Sequence, residues 1–189
     1  MPKAFAACAG RPLIGWSLQV LEAVCDRVVV AVPPGYETGP DRVTGGASRS
    51  ESVRLALATA PEATVVVVHD AARPLVTREL VDACIAALED GFDGAVAAAP
   101  VSDTIKEADD DRRVVRTLDR SRLWAIQTPQ AFAADALRRA LDSGDLASAT
   151  DDASLVEEAG GSIRVVEAPP ENIKVTSQVD LRLAETLLC

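Results

Sequence analysis

Val65-Val66-Val67-Val68-His69-Asp70-Ala71-Ala72-Arg73-Pro74 is the stretch on which the fold turns. Four consecutive β-branched residues make too short a run for a buried helix and suit a strand covered on both faces, as in a parallel sheet. Asp70 follows at the carboxyl end of that strand, where open α/β sheets bind their ligands. The small side chains of Ala71 and Ala72 allow backbone and ligand to come close, and Pro74 stiffens the way out. Taken alone, Asp70 reads as a loop residue capping local amides, and His69 and Arg73 as structural contacts. Placement at the strand end is what makes the segment a candidate site.

Working outward, apolar runs alternate with helical patterns, which predicts a sheet flanked by helices. Pro12 opens a helix whose stripe is Leu13, Trp16, Leu18, Val20, Leu21 and Val24. Val28 to Val32 reads as a strand stopped by Pro33-Pro34-Gly35. Ser48 and Glu51 have capping-box spacing at the head of a helix through Val53, Leu55 and Leu57. Thr77 caps the next helix, with Leu80, Val81, Cys84, Ile85 and Leu88 inward. Ala95 to Ala99 is a further strand. Thr104 to Ala108, the acidic Asp109-Asp110-Asp111 and Val114 to Leu118 then resemble a hairpin. Helices over 135–141 and 153–158, strands at 163–166 and 173–175, and a closing helix over 180–188 complete the chain. The expectation is one α/β domain over residues 1–189 with an arm inserted at about 102–119.

Composition narrows the function classes. The chain has 189 residues, near the size of one domain, with 48% hydrophobic and 25% charged residues, which argues against global disorder. Nineteen Lys and Arg against 29 Asp and Glu give a net charge of −10. That balance disfavours binding to a nucleic-acid backbone, which depends on many cations. An aromatic content of 3% likewise disfavours base-stacking platforms. Cys8, Cys25, Cys84 and Cys189 are far apart with no CxxC, so free thiols are expected rather than zinc or a disulfide framework. No apolar run approaches the roughly 18 residues of a membrane span, and 1–5 lacks the make-up of a signal peptide. The expected location is cytoplasmic.

Other segments carry chemistry more weakly. Gly45-Gly46-Ala47-Ser48 places paired glycines before a helix start, where free amides favour an anionic or polar ligand. Lys3, Arg120 and Lys174 lie far apart in sequence and matter together only if the fold converges them. With His69 the single histidine in the chain, a Ser-His-Asp hydrolase is unattractive.

The ordered set PKAF, AGRPL, GGASRSESV, VHDAARP, APVSDTIKE, TLDRSRLWAIQTPQAF, TDDASLVE and ENIKVTSQVDLRLAE spans almost the whole chain. In this order the segments resemble the 2-C-methyl-D-erythritol 4-phosphate cytidylyltransferases of the non-mevalonate isoprenoid pathway. The resemblance implies a Rossmann-like nucleotidyltransferase sheet with flanking helices and a protruding hairpin arm used for homodimerisation. It implies transfer of CMP from CTP to methylerythritol phosphate, with Mg²⁺ present and pyrophosphate released. Position by position, it makes Lys3 the transition-state lysine and puts Gly46, Ala47 and Ser52 at the cytosine and ribose. Members often carry Asp or Thr where Ala47 stands. Asp70 falls near the ribose and the metal. Thr104, Arg120, Thr128, Thr150 and Lys174 fall at the phosphosugar, with Arg120 and Lys174 positioning its phosphate.

The family normally has an apolar strand and a glycine-rich loop with a further arginine ahead of proline-lysine, whereas here Pro2-Lys3 follows Met1 directly. The expectations drawn from this are that the first strand and loop are missing and that the chain as written turns over CTP poorly or not at all. Two other functions stay open at the level of sequence. One is a related ribitol-phosphate or sugar-phosphate cytidylyltransferase, and the other is a truncated paralogue that only dimerises or binds nucleotide.

Overall fold

A computed structural model describes residues 2–189. Its centre is a four-stranded sheet built from β5 (Val65–Val68), β6 (Gly94–Pro100), β9 (Trp124–Ala133) and β10 (Ile163–Glu167), in the order β10-β6-β9-β5. β10 pairs parallel to β6, and β9 runs antiparallel to both β6 and β5. The sheet is therefore mixed rather than all-parallel, because a long antiparallel strand enters between the two that sequence periodicity identifies.

The alternation of side chains across the sheet sets its two cores. Val66, Val68, Val96 and Phe132 face α2 (Arg49–Leu57), α4 (Ala134–Ser143) and α5 (Asp152–Glu158), where Leu57, Leu137, Leu141, Leu155 and Val156 are buried. Val67, Ala95, Ala97 and Ala131 face the other way, onto Leu80 and Cys84 of α3 (Arg78–Glu89). The alanines on this face let α3 lie close to the strands. At Gly94 any β-carbon would lie 2.6 Å from the Phe132 ring and 2.7 Å from Ile163, so only glycine admits that packing. A third, smaller core gathers Cys8, Leu13, Val175 and Ala184, where α1 (Leu13–Val24) and α6 (Gln178–Leu188) meet the short hairpin β1 (Ala7–Cys8) and β2 (Arg11–Pro12). β3 (Val30–Val32) and β4 (Arg42–Thr44) pair with each other as a separate two-stranded ribbon.

Local signals explain most boundaries. The Ser48, Thr77, Asp151 and Ser177 side chains each accept a bond from a first-turn amide and so cap α2, α3, α5 and α6. The arm is a hairpin of β7 (Lys106–Ala108) and β8 (Val114–Thr117), exposed throughout, with Val114 and Val115 each 61% accessible. All four cysteines are free: Cys8 and Cys84 are buried, and Cys189 is exposed. No described helix is long and apolar enough to cross a membrane.

Three expectations are corrected. β5 is an edge strand paired antiparallel to β9 alone, with Val65 41% exposed and none of its four valines fully buried, so it is not the covered parallel strand that the valine run suggests. Residues 173–175 are not a strand; the segment is irregular and joins the rest through a bond from the Val175 amide to the Ala72 carbonyl at 2.7 Å. The ten-residue β9 carries no strand pattern legible in sequence, since Pro129 and the polar Gln127, Thr128 and Gln130 interrupt it. The structure accommodates them with an irregularity: the register passes from Val96↔Gln130 to Ala98↔Ile126, leaving Gln127, Thr128 and Pro129 opposite Ala97. Proline is tolerated in an inner strand at such a break, and the break also re-aims side chains.

Candidate active site

The β9 irregularity supplies the first fixed point. Thr128 is buried, and its hydroxyl accepts a 3.0 Å bond from the Asp70 amide, so the loop leaving β5 is fastened to β9. With its lone pair so used, the hydroxyl can donate to His69 Nδ1 at 3.2 Å, while His69 Nε2 donates to the Arg73 carbonyl at 3.1 Å. This arrangement needs a neutral ring protonated at Nε2. Burial favours the same state, lowering the His69 pKa to about 4. His69 is thereby a structural brace, as its residue type in a loop suggests.

A second set of bonds brings the distant segment 172–176 to the same place. Arg73 is buried and donates to the Asn172 carbonyl at 2.7 Å. The Asn172 side chain, also buried, donates to Gln127 Oε1 at 2.7 Å and to the Thr128 carbonyl at 3.0 Å. These contacts, with the Val175–Ala72 backbone bond, lay Lys174 across the end of β5.

There Lys174 Nζ meets Asp70 Oδ2 at 2.6 Å. Arg49 Nε stands 3.5 Å from Asp70 Oδ1, and its Nη1 is paired with the fully buried Asp152. Burial pushes the Asp70 carboxyl up, but the Lys174 hydrogen bond and the charges of Arg49 and Lys174 outweigh it and hold the group below its ordinary range. Asp70 is therefore an anion at neutral pH, held between two cations. The cluster opens into a cleft of about 450 Å³ whose lining includes Arg49, Asp70, Thr128, Gln130, Thr150 and Lys174.

Of the residues singled out from sequence, Asp70, Thr128, Thr150 and Lys174 thus come together on one cleft. Lys3 does not line the cleft; it sits in a short 3-10 turn and donates from Nζ to the carbonyl of Thr176, two residues along the chain from Lys174, at 3.3 Å. Gly46 and Ala47 form the loop before α2. There the Ser52 hydroxyl accepts from the Gly46 amide at 3.0 Å and donates to the Ser48 carbonyl at 2.9 Å, and Glu51 accepts from the Ala47 amide at 2.7 Å. The Glu51 side chain thus closes on Ala47 rather than on Ser48 as a capping box would. It packs so tightly over Gly46 that a β-carbon there would lie 2.3 Å from Glu51 Cγ. Thr104 and Arg120 are not on the cleft. Both are exposed at the arm, where the Arg120 guanidinium donates to the Ser102 carbonyl. Sequence reasoning missed Arg49, Gln130, Asn172 and Asp152. Each of the four is placed by contacts from remote segments, although all four stand inside the quoted family segments.

The whole chain, residues 1–189, matches the family described as IspD: 2-C-methyl-D-erythritol 4-phosphate cytidylyltransferase. The chain belongs to that family. A 2-C-methyl-D-erythritol 4-phosphate cytidylyltransferase of Frankia casuarinae is 44% identical over 99% of this chain and 74% of its own length. Another from Saccharopolyspora erythraea is 42% identical over 100% of this chain and 91% of its own length. The crystal structure of the enzyme of that name from Thermus thermophilus superposes with a TM-score of 0.85 at 36% identity, covering 99% of this chain and 94% of that one. Membership accounts for the mixed Rossmann-like sheet and for the clustering of family motifs at the end of β5.

Proposed function

We propose that this chain transfers CMP from CTP to 2-C-methyl-D-erythritol 4-phosphate, giving CDP-methylerythritol and pyrophosphate. The observation that carries the reading is the Asp70–Lys174 couple at the mouth of the cleft, formed by two family motifs 104 positions apart.

The reaction joins an oxygen of the incoming phosphate monoester to the α-phosphorus of CTP as the bond to the pyrophosphate oxygen breaks. No protein nucleophile is required. Such transfers depend on in-line placement and on neutralising charge that develops at the phosphorus. Lys174 is suited to the incoming phosphate, because a lysine is a mobile point charge that can leave Asp70 for a substrate oxygen. Thr150 offers a hydroxyl along the same wall, whereas Thr128, whose proton goes to His69, serves that wall by fastening the Asp70 loop to β9. Lys3 is assigned to the α-phosphate, a reading supported by its bond to the Thr176 carbonyl in the segment that carries Lys174. Gly46, Ala47 and Ser52 are assigned to the nucleoside through the loop before α2.

The metal reading rests on Asp70. Among the described residues no group of three or more His, Cys, Asp or Glu side chains could cage an ion. Mg²⁺ commonly binds through one or two carboxylates together with substrate phosphates. Asp70, an ionised carboxylate at the end of β5 on the cleft, therefore fits Mg²⁺ that arrives with the nucleotide, and Asp70 would hold it. When bound, the ion supplies charge neutralisation on the phosphates.

Arg120 requires a partner subunit in this account. It lies on the arm and off its own cleft, and the arm presents Val114 and Val115 to solvent. A twofold homodimer through the arm would bury these valines and carry Arg120 and Thr104 toward the other subunit's phosphosugar. The test is pyrophosphate release with Mg²⁺ across a panel of nucleotides and acceptors. Release with CTP and methylerythritol phosphate above all other pairs is expected. A preference for ribitol phosphate would refute the acceptor assignment.

A further inference from the structure

Arg49 and Asp152 have no part in the assignments above, yet they complete an alternating row of charges: Asp152, Arg49, Asp70, Lys174. Asp152 is fully buried at the first turn of α5, and its Oδ1 has no hydrogen-bond partner. The desolvation penalty of a buried carboxylate can exceed what its ion pair returns, so such a pair is poor support for stability alone and is better explained by what it positions. Its partner Arg49 is the first residue of α2, follows the glycine loop, and lines the cleft with a side chain about one-third exposed.

The geometry divides the labour among these four groups. Asp70 is within reach of two cations at once, Lys174 at 2.6 Å and Arg49 at 3.5 Å. Lys174 is about half exposed, whereas Arg49 is tied at its far side to a carboxylate that cannot move without unpacking α5. One cation is thus mobile and one is fixed. We propose that Asp152 and Arg49 are a positioning pair for the Asp70–Lys174 couple: Asp152 anchors Arg49, and Arg49 shares the charge of Asp70 so that Lys174 can pass from Asp70 to a substrate phosphate. This deepens the proposed function and rests on its assignment of Lys174 to the phosphosugar.

Without Arg49, Asp70 has a single cationic neighbour and holds Lys174 more tightly, so the phosphate must compete with an undivided carboxylate. Calorimetric titration of methylerythritol phosphate into wild type, Arg49→Gln, Arg49→Lys, Asp152→Asn and the Arg49→Gln/Asp152→Asn double variant tests this without needing turnover. Arg49→Gln should weaken binding about tenfold, the scale of one charge-assisted contact. Arg49→Lys, which keeps the charge, should stay within about threefold of wild type, a rescue that a merely structural role would not require. Asp152→Asn should weaken binding alone yet add little in the Arg49→Gln background, since coupled residues are non-additive. If a single variant that leaves a buried charge unpaired does not fold, Arg49→Lys and the double variant, which removes both charges, still decide the matter: a double variant that binds as tightly as wild type overturns the inference. Arg49→Gln binding as tightly as wild type, or Asp152→Asn acting equally in both backgrounds, overturns the inference. A wild type that does not bind the ester refutes the proposed function as well, whereas binding by wild type and equal binding by Arg49→Gln refutes only this pair's role.

Discussion

Replacing Lys174 by alanine separates the site's chemistry from its stability, because the two effects differ in size. Lys174 is 47% exposed and Asp70 20%, so solvent screens the pair, and its loss should cost no more than about 1 kcal/mol of folding free energy. For a domain of this size that lowers Tm by roughly 2–4 °C. The contact that Lys174 would make with a phosphate dianion is a charge-assisted hydrogen bond worth about 1.5–3 kcal/mol. That corresponds to a fall of roughly 10- to 150-fold in kcat/KM for methylerythritol phosphate. Pyrophosphate release measured at saturating CTP with the acceptor varied, and then the reverse, gives both parameters. The loss should fall on the acceptor, with the KM for CTP little changed. The carboxylate left behind supplies an internal check. Lys174 helps hold the Asp70 carboxyl below its ordinary value of 3.8 despite burial. A group depressed in this way adds stability above its unfolded pKa, and that stability is lost as pH falls through the lower folded value. In Lys174→Ala the Asp70 carboxyl should therefore titrate at higher pH by carbon NMR. Unchanged acceptor kinetics, or an Asp70 titration that does not move, would refute the placement of Lys174.

Three further outcomes follow from the fold. Arg120→Ala should weaken use of methylerythritol phosphate more than CTP binding, and sedimentation should show a dimer at micromolar concentration; a monomer would remove the reason for placing Arg120 near a partner's cleft. Leu137→Ala, at a fully buried position in the core under α4, should cost about 3 kcal/mol, seen as a shift in the denaturant midpoint at constant slope. Thiol labelling at pH 8 should reach exposed Cys189 first and spare Cys84, whose pKa burial pushes up to about 12, until the protein unfolds.

The parts legible in sequence are those that local chemistry controls. The Val65–Val68 run fixes β5 because four β-branched residues admit little else, and the Ser48 and Thr77 caps mark helix starts through their own hydroxyls. β9 was hidden because its polar side chains and proline serve a register break, an arrangement that only pairing with β6 and β5 makes stable. Lys174 was visible as a family motif, but its segment is irregular rather than a strand, held by the buried Arg73–Asn172 contact that spans 99 positions. Arg49 and Asp152 stand inside quoted family segments, but nothing local pairs them. A buried ion pair is a property of two segments together, and neither announces the other. The arm was legible from its acidic turn, while the use of Arg120 depends on a surface that a single chain does not contain.

The central claim is tested most directly by mass spectrometry of a single-turnover mixture, with enzyme in excess over CTP and with methylerythritol phosphate and Mg²⁺ supplied. With enzyme in excess, one turnover per site is enough to convert all the CTP, so slow product release does not mask the reaction. The account predicts that CTP is consumed only when the acceptor is present, yielding CDP-methylerythritol and pyrophosphate in equal amounts, and that Lys174→Ala delays both together. CTP left intact over the same period, or cytidylylation of ribitol phosphate in place of methylerythritol phosphate, would contradict it.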